Sequence, residues 1–271
     1  MAKVGCRIYT KVDRPEPELV RRFEDYAAAD LDDCMGRIAS MDCGIKPFNG
    51  VKLLGTAVTV NLPSGTNLMF HQALSLAQKG DVIVVNAGGD TSRGVCGENM
   101  IEIAKERGVR GFVVDGVIRD AAAARAQTDF AVFARGAEAN AAFKFGSTGE
   151  INVPVAVGGI IVYPGDILVG DEDGIVAIRP QNAAKVLKRP GFAQRSDQQG
   201  GDHGAAQGAG QKRDHIEEHG YLLAHEHGRY GKTHDCAQDS GAEYLTRIGH
   251  RQLMAVPVEH AAQIGAHHTA Q

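Results

Sequence analysis

The sequence predicts an α/β fold built on a parallel sheet, and three observations within one stretch carry that prediction. Asp81 to Asn86 is a short run of β-branched residues without alternation, the pattern of a strand covered on both faces. A helical period follows, in which Met100, Ile101, Ile103 and Ala104 are apolar while Glu102, Lys105, Glu106 and Arg107 are charged. Gly108 stands where a glycine ends such a helix, and Gly111 to Val114 reads as a second buried strand. Strand, helix and strand in that order form a βαβ unit, whose ligands lie beyond the carboxyl ends of the strands. The helix start Gly97-Glu98-Asn99-Met100 and the pair Arg119-Asp120 both fall at that edge.

The remaining elements follow in chain order. Glu16 to Leu31 has a helical period, with Leu19, Phe23, Tyr26 and Ala27 on one face. Asp32 and Asp33 follow it; neighbours on a helix point in different directions, which favours capping over a shared metal. Val51 to Leu62 reads as a strand, Pro63 to Thr66 as a turn, and Asn67 to Gln78 as a helix carrying His71, taken as a structural hydrogen-bonder. Ala121 to Ala126 is a short helix and Phe130 to Phe133 a strand. Val153 to Val157, Gly159 to Val162, Ile167 to Val169 and Ile175 to Ile178 are further strands. The acidic loop Gly170 to Gly174 lacks the length and ligand spacing of an EF-hand and reads as a tight turn.

Composition narrows the function classes. A net charge of -4 with intermixed signs offers no basic stripe for nucleic acid. No apolar run reaches membrane-spanning length and no leader pattern opens the chain, so a cytoplasmic protein is expected. The 5 cysteines are scattered without a CxxC pair, which suggests reduced thiols rather than a zinc site. Cys96 lies near the proposed edge and is expected to pack rather than react.

Three features of the edge bear on chemistry. The N–H groups of Glu98, Asn99 and Met100 lie in a first helical turn, where unpaired donors attract an anion. Arg119 is a fork suited to a carboxylate or an enolate oxygen, and Asp120 is a hard oxygen ligand for magnesium. Each has a structural counterpart: Glu98 as a favourable charge at a helix start, Asp120 as the N-cap of the following helix, and Arg119 in a surface ion pair.

Glu98, a gap of 20 residues and then Arg119-Asp120 is similar to the acidic-x20-Arg-Asp signature of the class II 4-hydroxy-4-methyl-2-oxoglutarate aldolase family, which includes the regulators of ribonuclease activity called RraA-like proteins. The resemblance extends through GTAVTV (55–60), GDVIVV (80–85), RGVRGFVVDGVIRD (107–120) and INVPVAVGGIIVYPGDILVGDEDGIVAI (151–178), within roughly residues 15 to 187. One departure is Glu98, where the aldolase pattern has Asp. The resemblance implies a swivelling β/β/α layered fold over residues 1–187 and a lyase using a divalent cation, magnesium or alternatively manganese. It implies Asp120 as metal ligand, Arg119 and Glu98 as catalytic residues, and Gly97, Glu98, Asn99, Met100 and Arg119 around a small 2-oxo acid. Glu98 would orient water at the metal. The products would be pyruvate, with oxaloacetate decarboxylation as a second activity, in a homotrimer or dimer of trimers that needs no nucleic acid or membrane. The alternative is a non-catalytic scaffold that docks on a ribonuclease. A methyltransferase label also attached to the family finds little support, because Val85 to Asp90 lacks the GxG spacing of a nucleotide turn.

Residues 188–271 change character: they are rich in Gly, Gln and His, and only His71 of 11 histidines precedes residue 200. The segment does not resemble the long charged helix expected after Leu187, and it is expected to be a non-homologous, mostly disordered tail. In the aldolases a carboxylate from a neighbouring subunit's C-terminal region completes the metal's water shell. No residue here matches it, and Glu217 and Glu218 are candidates by type alone.

Overall fold

The computed structural model describes residues 5–146 and 148–188. In chain order the elements are β1 (Cys6–Ile8), α1 (Pro17–Arg21), α2 (Ala28–Cys34), β2 (Lys46–Pro47), β3 (Leu53–Asn61), α3 (Leu68–Leu76), β4 (Asp81–Asn86), α4 (Glu98–Glu106), β5 (Gly111–Ile118), α5 (Ala121–Ala126) and β6 (Ala131–Ala137). There follow β7 (Gly149–Ile151), β8 (Val155–Val157), β9 (Ile160–Val162), β10 (Ile167–Asp171), β11 (Gly174–Ile178) and α6 (Pro180–Val186).

Three consecutive βαβ crossovers put β3, β4, β5 and β6 side by side and parallel, in sequence order. The sheet continues through β7 to β1 on one side, ends in β2 on the other, and carries the β10–β11 hairpin on β3. Alternation along the buried strands assigns their side chains to two layers. Ile83 and Val85 of β4 point to the layer of α3 and α4, packing with Phe70, Ala73, Met100 and Ala104. Val82 and Val84 point the other way, to Val155, Val157 and Val162 of the β8–β9 hairpin. Sheet, second sheet and helices are the expected β/β/α layers. Phe112 pins the helical layer through edge-on contacts with Phe70 and Phe130, at 4.9 and 4.8 Å between centroids. A third core buries Phe23, Leu31, Val169 and Val186 under α1, α2 and α6.

Several expectations need correction. The single helix over Glu16 to Leu31 is two short ones, α1 and α2, separated by a turn. The break lets both Phe23 and Leu31 reach the core, and Asp171 Oδ2 accepts the Ala28 N–H at 2.8 Å to start α2. Sequence reading also missed β1, β2 and β7, and stopped the fourth parallel strand at Phe133, where β6 runs to Ala137. Asp32 and Asp33 serve local structure, accepting from Ala39 N and Arg37 Nε. Cys34, Cys43 and Cys96 are free thiols, as expected. The tail beyond Lys188, with Glu217 and Glu218, lies outside the described residues.

Candidate functional site

Arg119 and Asp120 leave the end of β5, and the loop before α4 is laid directly against them. Val95 N donates to Val117 O at 2.9 Å, and Arg119 N donates to Cys96 O at 2.7 Å. Gly94 makes this approach possible. A Cβ there would stand 2.4 Å from Arg119 Cγ and 3.0 Å from both Arg119 N and Glu138 O. Glu138, just past β6, closes the other side by donating its N–H to Ile118 O at 2.9 Å.

Asp120 adopts left-handed backbone angles, φ 55 and ψ 46, which a non-glycine residue rarely occupies and which Asp tolerates better than most. The structural alternative holds in position only: Asp120 is the N-cap residue of α5, yet its side chain makes no capping bond there. Its carboxylate turns to the start of α4 instead, where Oδ2 accepts the Glu98 N–H at 3.0 Å. That N–H is one of the donors a helix start leaves unpaired, and the helix dipole favours the negative charge. Gly97 is the enabling residue, since a Cβ on it would lie 2.3 Å from Oδ2. The other oxygen, Oδ1, stands 3.9 Å from Arg119 Nη2, with the two side chains 39% and 42% exposed. A pair so long and so wet contributes little stability.

The structure therefore brings Gly97, Glu98, Asn99, Arg119 and Asp120 to one edge, as predicted, with the Glu98 and Asn99 side chains exposed. It also qualifies the anion-binding expectation. The Glu98 N–H is engaged by Asp120, and Met100 N donates to Gly97 O at 3.0 Å. Met100 sends its side chain into the core, 4% exposed. Cys96 is buried, and burial first, then the Asp120 charge, pushes its thiol up, so it packs and does not ionise. Burial, aided by Lys144, lowers His71 to about 4, which keeps the imidazole neutral.

For a divalent cation the donor set is one open carboxylate oxygen on Asp120, with an exposed carboxylate on Glu98, the residue whose N–H Asp120 accepts. Among the described residues no group of three or more His, Cys, Asp or Glu could hold a metal ion. This fits a cation that keeps most of its waters, as magnesium does, and not a caged zinc ion. Sequence reading missed Gly94 as a determinant of the site; its spacing from Gly97, with both glycines in the loop after a parallel strand, is the available signal. It also missed Arg93, which caps the Phe143 ring at 4.2 Å and donates to Asn140 Oδ1 and Ala141 O, fixing the same loop. The site is an open edge; concavities of about 390 and about 980 Å³ lie elsewhere on the chain.

The chain is thus a layered α/β domain whose sheet edge carries an open Asp120 carboxylate oxygen, the Arg119 guanidinium and the glycine-laid start of α4. Residues 28–177 match the model of the RraA-like (Aldolase/RraA) family, and the chain belongs to that family. A Halalkalibacterium halodurans protein named "Putative 4-hydroxy-4-methyl-2-oxoglutarate aldolase" is 36% identical over 188 residues, 69% of this chain and 89% of that protein. A Streptomyces coelicolor structure, an unusual member of the RNase ES inhibitor RraA protein family, is 30% identical with a TM-score of 0.59, covering 65% of this chain and 92% of that one. A Geobacillus kaustophilus structure named S-adenosylmethionine:2-dimethylmenaquinone methyltransferase is 28% identical with a TM-score of 0.52, covering 56% and 94%. Among the described residues no helix is long and apolar enough to cross a membrane.

Proposed function

We propose that the chain is a divalent-metal-dependent aldolase that cleaves 4-hydroxy-4-methyl-2-oxoglutarate, or a related 4-hydroxy-2-oxo acid, to pyruvate. The observation that carries this is the Asp120 carboxylate, held in left-handed backbone against Glu98 N with its second oxygen open beside Arg119. Asp120 would hold the cation, magnesium or manganese, which supplies Lewis-acid stabilisation of the enolate charge when bound. Arg119 grips the substrate carboxylate and steadies the negative charge that develops on the C2 oxygen. The C4 hydroxyl loses its proton to water held at Glu98, the C3–C4 bond breaks, and its electron pair forms the pyruvate enolate. Protonation at C3 completes one pyruvate, and the C4 fragment leaves as the second. Oxaloacetate would lose carbon dioxide to give the same enolate, so decarboxylation is the second activity. Gly97 and Gly94 act by letting the loop lie against Asp120 and Arg119. The working form is a homotrimer or dimer of trimers in the cytoplasm.

The test is coupled pyruvate release from both substrates, with and without chelator. Chelator-sensitive turnover of either supports the reading, and no turnover with added magnesium or manganese overturns it. A second reading, a scaffold that regulates a ribonuclease, is favoured by the RraA name of the Streptomyces relative. It predicts affinity for a ribonuclease that survives substitution of Arg119.

A further inference from the structure

Away from the Arg119 edge, a concavity of about 980 Å³ opens between α2, β9 and α6. Its walls differ in character. Met35, Ile38 and Ile161 form an apolar side, with Ile38 79% and Ile161 59% exposed. Arg179 and Lys185 form a cationic side. Arg179 is held from behind, its guanidinium 3.7 Å over the Tyr163 ring and its Nε 3.1 Å from Asp166 Oδ1. The Asp166 carboxylate is 2% exposed and accepts the Tyr163 N–H at 2.8 Å through Oδ2. The Nε contact is an ion pair without hydrogen-bond alignment: Nε is buried and has no hydrogen-bond partner among the described residues. Asp166 therefore does not take the fork of Arg179 face-on. Among the described residues the guanidinium makes no hydrogen bond to a carboxylate, and its one carboxylate neighbour is Asp166. A guanidinium fixed on its inner side and open on its outer one suits a carboxylate, which it grips with two parallel bonds.

We propose that this concavity binds a small carboxylate ligand with an apolar body, its head on Arg179 and Lys185 and its body along Met35, Ile38 and Ile161. The volume lies in the range of small-molecule sites, and the mix of apolar wall and few convergent polar groups is what such sites show. Asp166 does not repel the head strongly, because its charge is spent on Arg179 and the Tyr163 N–H.

Octanoate is the probe, titrated calorimetrically into the full chain. Wild-type protein should bind it, and Arg179→Met should weaken binding about tenfold or more through loss of a charged, two-pronged contact. Because Arg179→Met strands a buried Asp166, Ile38→Asp is the second variant: it is exposed, buries nothing and sets a negative charge at the rim. It should weaken octanoate by a similar factor and leave butylamine, a cationic control, no weaker. Both variants should leave pyruvate release unchanged, and Arg119→Lys should leave octanoate binding unchanged. Failure of wild type to bind octanoate, equal binding by Ile38→Asp, or loss of binding in Arg119→Lys overturns the proposal.

Discussion

Gly97→Ala is the sharpest perturbation the site offers. Its backbone angles, φ -158 and ψ -167, are extended and open to alanine, so strain in the main chain is not the issue. The added Cβ would lie 2.3 Å from Asp120 Oδ2, whereas real Cβ atoms essentially never come closer than 3.0 Å, so the two must part by about 0.7 Å at the least. The neighbour is a short side chain anchored by left-handed backbone and by the 3.0 Å bond from Glu98 N, so it has little room to yield. Losing that charge-assisted bond costs on the order of 1.5–3 kcal/mol. A displacement approaching 1 Å in a catalytic group costs on the order of 10²-fold in turnover. The expected result is a kcat/KM for pyruvate release lowered by about that factor, with the magnesium requirement raised about tenfold or more. Thermal unfolding with the double variant Gly97→Ala/Asp120→Ala completes the test, because shortening residue 120 removes the clash and the double variant's stability cost should fall short of the sum of the two single costs. A Gly97→Ala enzyme with wild-type turnover and wild-type magnesium dependence would refute the placement of Asp120 as metal-holding residue.

Other outcomes follow from the same geometry. Arg119→Lys keeps the charge and loses the fork, so kcat should fall on the order of 10²-fold and KM should rise, read from pyruvate release; unchanged release with weakened binding to a ribonuclease would favour the scaffold. His71, lowered to about 4 from an ordinary 6.5, binds protons more readily in the unfolded chain, so its contribution to stability is lost as pH falls from about 6.5 through 4. His71→Gln should flatten that acid limb in chemical denaturation. Asp166, raised to about 6 by burial against its ordinary 3.8, works in the opposite sense: its contribution is present below 3.8 and lost as pH rises through 6. Asp166→Asn should therefore steepen the net acid loss between those values by removing the opposing limb. Phe112→Ala, deleting the ring between Phe70 and Phe130, should cost about 3–5 kcal/mol.

What could be read in advance divides along physical lines. Asp81–Asn86 and Ala121–Ala126 match their sequence-read bounds, because a continuous apolar run and an alanine run are local signals. The strands β1, β2 and β7 are two or three residues long and exist only through pairing with distant partners, as Cys6 with Gly149 and Lys46 with Ala134. Nothing within so short a segment announces a strand. The break between α1 and α2 depends on Asp171, more than 130 residues away, capping Ala28. At the site, the order of residues put the start of α4 and the Arg119-Asp120 pair at one edge, although the Met100 side chain turns into the core. It did not tell that Asp120 caps the wrong helix, since the identity of its partner, Glu98 N, is set by how two loops meet.

Asp120 is where structural and functional accounts of the edge make opposite demands. A structural residue in left-handed backbone would be chosen for fold alone, and asparagine meets that need: it tolerates the same angles and offers an oxygen to Glu98 N. The charge itself contributes little to stability, given a 3.9 Å contact to Arg119 and a side chain 39% exposed. Asp120→Asn should then unfold within about 1 kcal/mol of wild type, the cost of trading a charged acceptor for a neutral one. Function makes the opposite demand, because a neutral amide is a far poorer ligand for magnesium than a carboxylate. Pyruvate release should fall below detection, or return only at magnesium concentrations far above the wild-type requirement. Isothermal titration with magnesium alone reads the same loss without turnover, and so separates a missing cation from a damaged catalyst. Full activity with intact magnesium binding in Asp120→Asn would mean that the left-handed turn is a device of the fold and that the chemistry lies elsewhere.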